Sequence, residues 1–197
     1  MFYGLPLAFL SFLLPLLTVV APTQQNPTAA PAAAPEVIAW SANRPLTWAD
    51  FKSKPTPADR LAALTSATID VQAGCTDFVF TSTVKAVFVP TESWVRDSAT
   101  ATPNLLRHEQ LHFNITELHA RRMRQKIALL KLNCARLQPA FKNATNVIFT
   151  EWQKEEARYD QETNHGLNLD RQKTWEIQVK QRLVLLEQYA SKPAATK

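Results

Sequence analysis

The chain is short of cysteine and has no charge at one end, and each lack excludes something. There are two cysteines in 197 residues, Cys75 and Cys134, and they do not form a C-x-x-C pair. A redox dithiol or a zinc knuckle therefore has no support, although one disulfide is open to an exported chain. Spacing alone does not show whether the two Cα atoms come close enough to pair. No charged side chain occurs before Glu36. No internal repeat is visible, so a solenoid is not expected. Aromatic residues do not interleave with the basic ones, which argues against stacking on nucleic-acid bases. The net charge of +5 comes from 22 basic and 17 acidic residues, a modest and mixed excess. Its densest run, Arg121, Arg122, Arg124 and Lys126, reads as a solvated helix face.

What is there begins with an uncharged apolar run over residues 1–21, rich in leucine and phenylalanine. It reads as a signal peptide or an N-terminal membrane anchor, and it predicts export or tethering to a membrane. No Lys or Arg precedes the run, and Pro22 follows the natural cleavage point at Ala21. Residues 22–36 form a Pro/Ala-rich linker that cannot build a core. The folded domain is expected over 37–192. Its composition, 46% hydrophobic, suffices for a core.

The domain reads as strands first and helices after, an α+β arrangement. Extended segments are expected around Val37–Trp40, over 67–73, from Phe78 to Val89, and at Ser93–Val95. Thr47 caps a short helical turn that includes Asp50. From Thr102 and Pro103 the pattern becomes helical, with no proline until Pro139. One helix of roughly ten turns is expected there. Two further helices follow, at about 143–161 and 169–190, joined by a loop over residues 162–167.

The long helix carries His108-Glu109-Gln110-Leu111-His112, an H-E-x-x-H motif. Histidines four apart differ by about 40° around a helix and about 6 Å along it. Both rings can reach one metal ion. The glutamate can lean over the same ion as general base. The alternative is a surface helix that happens to carry these residues.

A catalytic zinc site needs a third protein ligand and an open position. His119 lies about 10 Å along the axis from His112, too far to share the ion. Glu117 faces elsewhere and reads as a supporting or packing residue. The segment Tyr159-Asp160-Gln161-Glu162-Thr163-Asn164-His165-Gly166 gathers a phenol, carboxylates and an imidazole beside a glycine that permits a sharp turn. His165 is the expected third ligand. Asp160 is open as a direct ligand or as a residue orienting a histidine, and Glu155 as a carboxylate ligand. Tyr159 is open as an oxyanion donor, with core packing as the plainer reading.

The strings around these residues are longer than the motif. Residues Leu105 to Phe113, with Ile115, Glu117, Ala120 and Arg121, resemble a bacterial domain family of unknown function described as predicted secreted zinc-dependent proteases. Trp40-Ser41, Arg44, Leu46-Thr47-Trp48 and Asp50-Phe51 look like its opening, and Ser93-Trp94-Val95 like its central segment. Tyr159-Asp160, Thr163, His165-Gly166, Gln172 and Trp175 look like its close. The resemblance spans about Val37 to Tyr189. It implies a zincin-like fold, with a small N-terminal sheet, a long active-site helix and two further helices. It also implies Zn²⁺-dependent hydrolysis of a peptide or protein substrate.

The expectation is thus an exported zinc peptidase. His108, His112 and His165 would hold the metal, and Glu109 would be the base. Membrane contact is expected only through the N-terminal segment. By analogy with zincins, the strand at Val84–Val89 is expected to be the edge that receives substrate. The competing reading is a catalytically silent metal-binding scaffold of the envelope.

Overall fold

A computed structural model describes residues 36–191. The expected targeting segment at 1–21 and almost all of the linker lie outside the described residues. Among the described residues no helix is long and apolar enough to cross a membrane.

Five strands precede three helices: β1 (Ile38–Ala39), β2 (Ala63–Leu64), β3 (Ala67–Thr76), β4 (Val79–Phe88), β5 (Trp94–Val95), α1 (Pro103–Leu130), α2 (Ala140–Thr163) and α3 (Leu169–Leu185). The α+β reading holds. β3 and β4 form a ten-residue antiparallel hairpin, in register from Ala67↔Phe88 to Thr76↔Val79. β1 pairs with the other side of β4 through Ile38↔Phe88 and Ala39↔Val87.

Residues 87 and 88 are therefore paired on both sides, and the sheet order is β1-β4-β3. This corrects the expectation of an edge at Val84–Val89. That strand is central because its β-branched and aromatic residues are those with most to bury: Val84, Ala86, Val87 and Phe88 are all in the core. The edge strand that lines the cleft at the motif is β2, which among the described residues pairs only with β5 (Ala63↔Val95, Leu64↔Trp94). At two residues, β2 is too short to leave an alternating pattern in the sequence.

α1 starts where the sequence predicts. The Thr102 hydroxyl accepts from Leu105 N–H at 3.2 Å, and Pro103 occupies the first turn. It ends earlier than expected, at Leu130, because Lys131 turns left-handed (φ 45°) as its C-cap. The chain then enters a 3-10 turn at Cys134–Arg136, and Cys134 is bonded to Cys75 at the far end of β3. α3 is likewise shorter than expected, giving way to a 3-10 turn at Glu187–Tyr189.

α1 is the centre of the domain. One side packs on the sheet, with Phe113, Ala120, Met123 and Ile127 against Ile69, Val84, Ala86 and Phe88. The other side packs on α2 and α3, with Leu111 and Ile115 against Tyr159, Trp175 and Val179. Residues 115–121 are buried without interruption. A helix enclosed on both faces cannot keep its polar residues in water, so they must be paired.

For Glu117, Arg121, Arg124 and the Nε2 of His119 the pairs are present. Glu117, 1% exposed, accepts from Arg121 Nε at 2.9 Å and from both terminal nitrogens of Arg124. His119, fully buried, meets Glu155 at 2.8 Å, and Glu155 is clamped by Arg182. Burial pushes the Glu155 carboxyl up, but Arg182 and His119 outweigh it and hold it at about 2. The run Arg121–Lys126 is thus not simply a solvated face. Arg121 is buried and reaches Leu183 C=O at 2.7 Å, and Arg124 donates to Tyr189 C=O, tying the C-terminal turn to α1.

The disulfide closes a 59-residue separation, and a loop of that length is worth about 4 kcal/mol through the unfolded chain. Replacing both Cys75 and Cys134 by serine should lower the unfolding free energy by roughly that amount. Urea titration, comparing midpoints at equal slope, measures it.

Candidate metal centre

α1 presents the two motif histidines on one turn, and α2 and α3 hold their rings from behind. The His112 Nδ1–H donates to Glu156 Oε2 at 2.5 Å, and Glu156 is itself fixed by Trp152 Nε1 at 2.8 Å. The His108 Nδ1–H donates to Gln172 Oε1 at 3.2 Å. Gln172 is oriented by the Tyr159 hydroxyl, which donates to the same oxygen at 2.7 Å, and by its own amide, which donates to Glu176 at 3.1 Å. With both Nδ1 atoms donating, both Nε2 lone pairs turn to the same point. The Tyr159 ring stacks on His108 at 4.7 Å and meets His112 edge-on at 4.8 Å.

The two Nε2 atoms lie 3.3 Å apart. Asp160 Oδ1 is 3.0 Å from His112 Nε2 and 3.2 Å from His108 Nε2. Nitrogens bound to one tetrahedral zinc at about 2.0–2.1 Å lie ~3.3 Å apart, so this triangle has the dimensions of one face of such a site. His165 adds Nδ1, 3.4 Å from Asp160 Oδ1, and the candidate ligand atoms of His108, Asp160 and His165 all lie within 4.8 Å of one another. The donor set, imidazoles plus one carboxylate, suits Zn²⁺.

Without a cation the same charges are balanced by protons. Burial pushes the His112 imidazole down, but Asp160 and Glu156 outweigh it and hold it at about 10. Burial pushes Asp160 up, yet His108 and His112 hold it well below the usual carboxylate range. A dication takes over that role by displacing the proton.

The loop that supplies His165 is strained. Asn164, His165 and Gly166 have φ of 49°, 52° and 81° in succession. The first two are left-handed without being glycine, which costs roughly 1–3 kcal/mol each. The turn persists because it is tied at both ends. His165 N–H bonds Asp160 C=O at 3.0 Å, and Asn168 N–H bonds Thr163 C=O at 2.8 Å. Gly166 is required twice over. Its φ is positive, and a Cβ there would stand 2.9 Å from Cβ and Cγ of His108.

Glu109 is 3% exposed, yet its carboxylate has no hydrogen bond or ion pair among the described residues. It lines a cleft of about 100 Å³ together with His108, His112, Asp160, His165 and residues 61–65.

The other predicted residues fall as follows. Asp160 faces the Nε2 atoms of both motif histidines, the side on which a ligand would sit, whereas Glu156 and Gln172 hold the Nδ1 atoms. Glu155 lies on the neighbouring face of α2, committed to Arg182 and His119, and does not reach the centre. Glu117 is a turn or more away in the Arg121–Arg124 cluster. The Tyr159 hydroxyl points away from the cleft, to Gln172 and His108 C=O, so it packs and orients; burial raises it far above an ordinary phenol. Glu156 and the orienting role of Gln172 were missed. The signal for Glu156 was the i, i+4 series Trp152, Glu156, Asp160, which puts all three on one helical face.

Two imidazoles and a carboxylate on α1, with Asp160 and His165 beside them, thus form a group of side chains that could hold a metal ion, carried on an α+β fold. Residues 41–166 match the family described as "Bacterial protein of unknown function (DUF922)", and the chain belongs to it. The match runs through the motif and ends on Gly166. No curated protein and no solved structure matches the chain.

Gly166→Ala should weaken zinc binding at least about tenfold by displacing the His108 ring, an effect of the size seen when ligand-orienting groups are lost. Zinc titration against a chromogenic chelator reads it. Asp160→Ala and His165→Ala, titrated in parallel, separate the two candidate third ligands. The one that ligates should lose zinc by orders of magnitude, and a merely orienting one by roughly 10–100-fold.

Proposed function

We propose that this chain is an exported zinc-dependent hydrolase of peptide bonds. The observation that carries the reading is Glu109, a carboxylate that lines the cleft with no hydrogen bond or ion pair among the described residues, beside two imidazoles whose lone pairs converge. A buried carboxylate costs stability unless something uses it. Here it faces a cleft in which a metal-bound water would be its proton donor.

His108, His112 and one or both of Asp160 and His165 would hold the metal. Bound there, Zn²⁺ would supply a Lewis acid for the scissile carbonyl and lower the pKa of water. Glu156 and Gln172 keep the two rings in the tautomer that ligates. Glu109 accepts the proton of the attacking water at its carboxylate and later delivers it to the leaving nitrogen.

Substrate would lie along β2. Arg96 N–H bonds Ala62 C=O at 2.9 Å, making residues 62 and 96 a hydrogen-bonded pair. Ala63, opposite Val95, is then a non-hydrogen-bonded position whose own N–H and C=O face the other way. Residues 61–65 line the cleft, so an extended peptide can add to that edge. The Cys75–Cys134 disulfide supports an oxidising compartment, in keeping with export.

One observation favours the second reading, a catalytically silent metal-binding scaffold. Asp160 stands where it can complete a four-ligand shell, and closed shells are structural. Glu109→Gln separates the two. It keeps the size of the side chain and touches no ligand, so zinc should stay stoichiometric by elemental analysis. Cleavage of an unfolded protein substrate should fall by at least about a hundredfold. A wild type that binds zinc and cleaves nothing supports the scaffold.

A further inference from the structure

Beside the metal cleft lies a larger pocket of about 520 Å³. Leu61, Ala62, Leu105 and His165 wall both, so the two are continuous. Leu167, 76% exposed, extends the apolar wall on one side. Two arginines, Arg60 and Arg96, also line it.

Neither arginine forms an ion pair among the described residues, although Arg96 lies over the Trp94 ring at 5.8 Å. Arg60 is exposed and has no hydrogen bond or ion pair among the described residues. Arg96 spends Nε and one terminal nitrogen on backbone carbonyls, Leu61 C=O at 3.2 Å and Asp59 C=O. Its other terminal nitrogen has no acceptor among the described residues. Two acids stand near them, and Asp97 lines the pocket itself, but both carboxylates are engaged in local turns. Asp97 accepts from Ala99 N–H at 2.9 Å and Thr100 Oγ1 at 2.8 Å. Asp59 feels the Arg96 charge, but its carboxylate is folded onto Thr56 through N–H at 2.6 Å and Oγ1 at 2.7 Å.

The result is a pocket with an apolar wall, a cationic end, and an opening onto His165. Guanidinium groups with unused donors recognise carboxylates through charge-assisted hydrogen bonds. The volume is in the range that takes a whole side chain and its neighbours. We propose that this pocket is a subsite for a carboxylate carried by the substrate residue beside the scissile bond. The carboxylate is either an Asp or Glu side chain or the free C-terminus of a short peptide. The proposal rests on the hydrolase reading for the position of the bond, and on the pocket alone for the selectivity.

Zinc-loaded full-length Glu109→Gln protein tests it by fluorescence anisotropy with labelled hexapeptides. One carries an internal Glu and a C-terminal amide. The second has Gln in its place and the amide, and the third has Gln and a free C-terminal carboxylate. At least one carboxylate peptide should bind about tenfold or more tightly than the Gln-amide peptide, the scale of a hydrogen bond to a charged group. Preference for the first assigns the side chain, and preference for the third the C-terminus. Adding Arg60→Glu, an exposed change that should leave the melting temperature intact, should abolish the preference, and Arg60→Lys should partly restore it.

Equal affinity for all three peptides, or a preference indifferent to Arg60→Glu, overturns the proposal. Wild type is assayed for cleavage of the same peptides. Selective binding without any cleavage sinks the hydrolase reading and leaves the carboxylate pocket standing. Cleavage without selectivity does the reverse.

Discussion

The site depends on two hydrogen bonds made behind the cleft-facing side of α1. Glu156 holds His112 and Gln172 holds His108, each at Nδ1, so that each Nε2 faces the cleft. Neither could be made from α1 alone. They require α2 and α3 to pack against that helix, which they do around Leu111, Ile115, Tyr159 and Trp175. The sheet supplies the opposite wall. Burial of α1 on both faces is therefore at once the core of the fold and the condition for the site. The same enclosure explains why Glu117, Arg121 and His119 are paired: a lone charge in that helix would cost several kcal/mol.

The loop after α2 shows the other side of that dependence. Three successive left-handed residues, ending on a glycine pressed against His108, would not persist in an isolated segment. They are held by the bonds at Asp160, Thr163 and Asn168. The turn brings His165 to the side of the motif histidines where α2 already places Asp160. Strain kept at such a place accords with a site that must hold its ligands in a fixed arrangement.

Much of this could be read in advance, and the failures have physical reasons. The spacing of His108 and His112 on a helix, the start of α1 at Thr102 and the interest of residues 159–166 followed from periodicity and capping. The third-ligand question stayed open, since a loop has no period. Glu155 was weighed where Glu156 mattered. A shift of one residue is 100° on a helix, and only the packing of α2 shows which face turns inward. The central place of β4 and the two-residue β2 depend on pairing between distant segments, which leaves no local signal. Arg121 looked like solvated charge because the sequence does not reveal that Glu187 and the Leu183 carbonyl lie above it.

The central claim is that His108 and His112 are ligands of one metal ion. Anomalous diffraction at the zinc edge, on crystals of the protein equilibrated with zinc, tests it most directly. The account predicts one strong peak about 2.0–2.1 Å from both Nε2 atoms, with Asp160 or His165 completing the shell and Glu109 outside it. No peak at that point, or a peak bonded to Glu109 in place of either histidine, would contradict it.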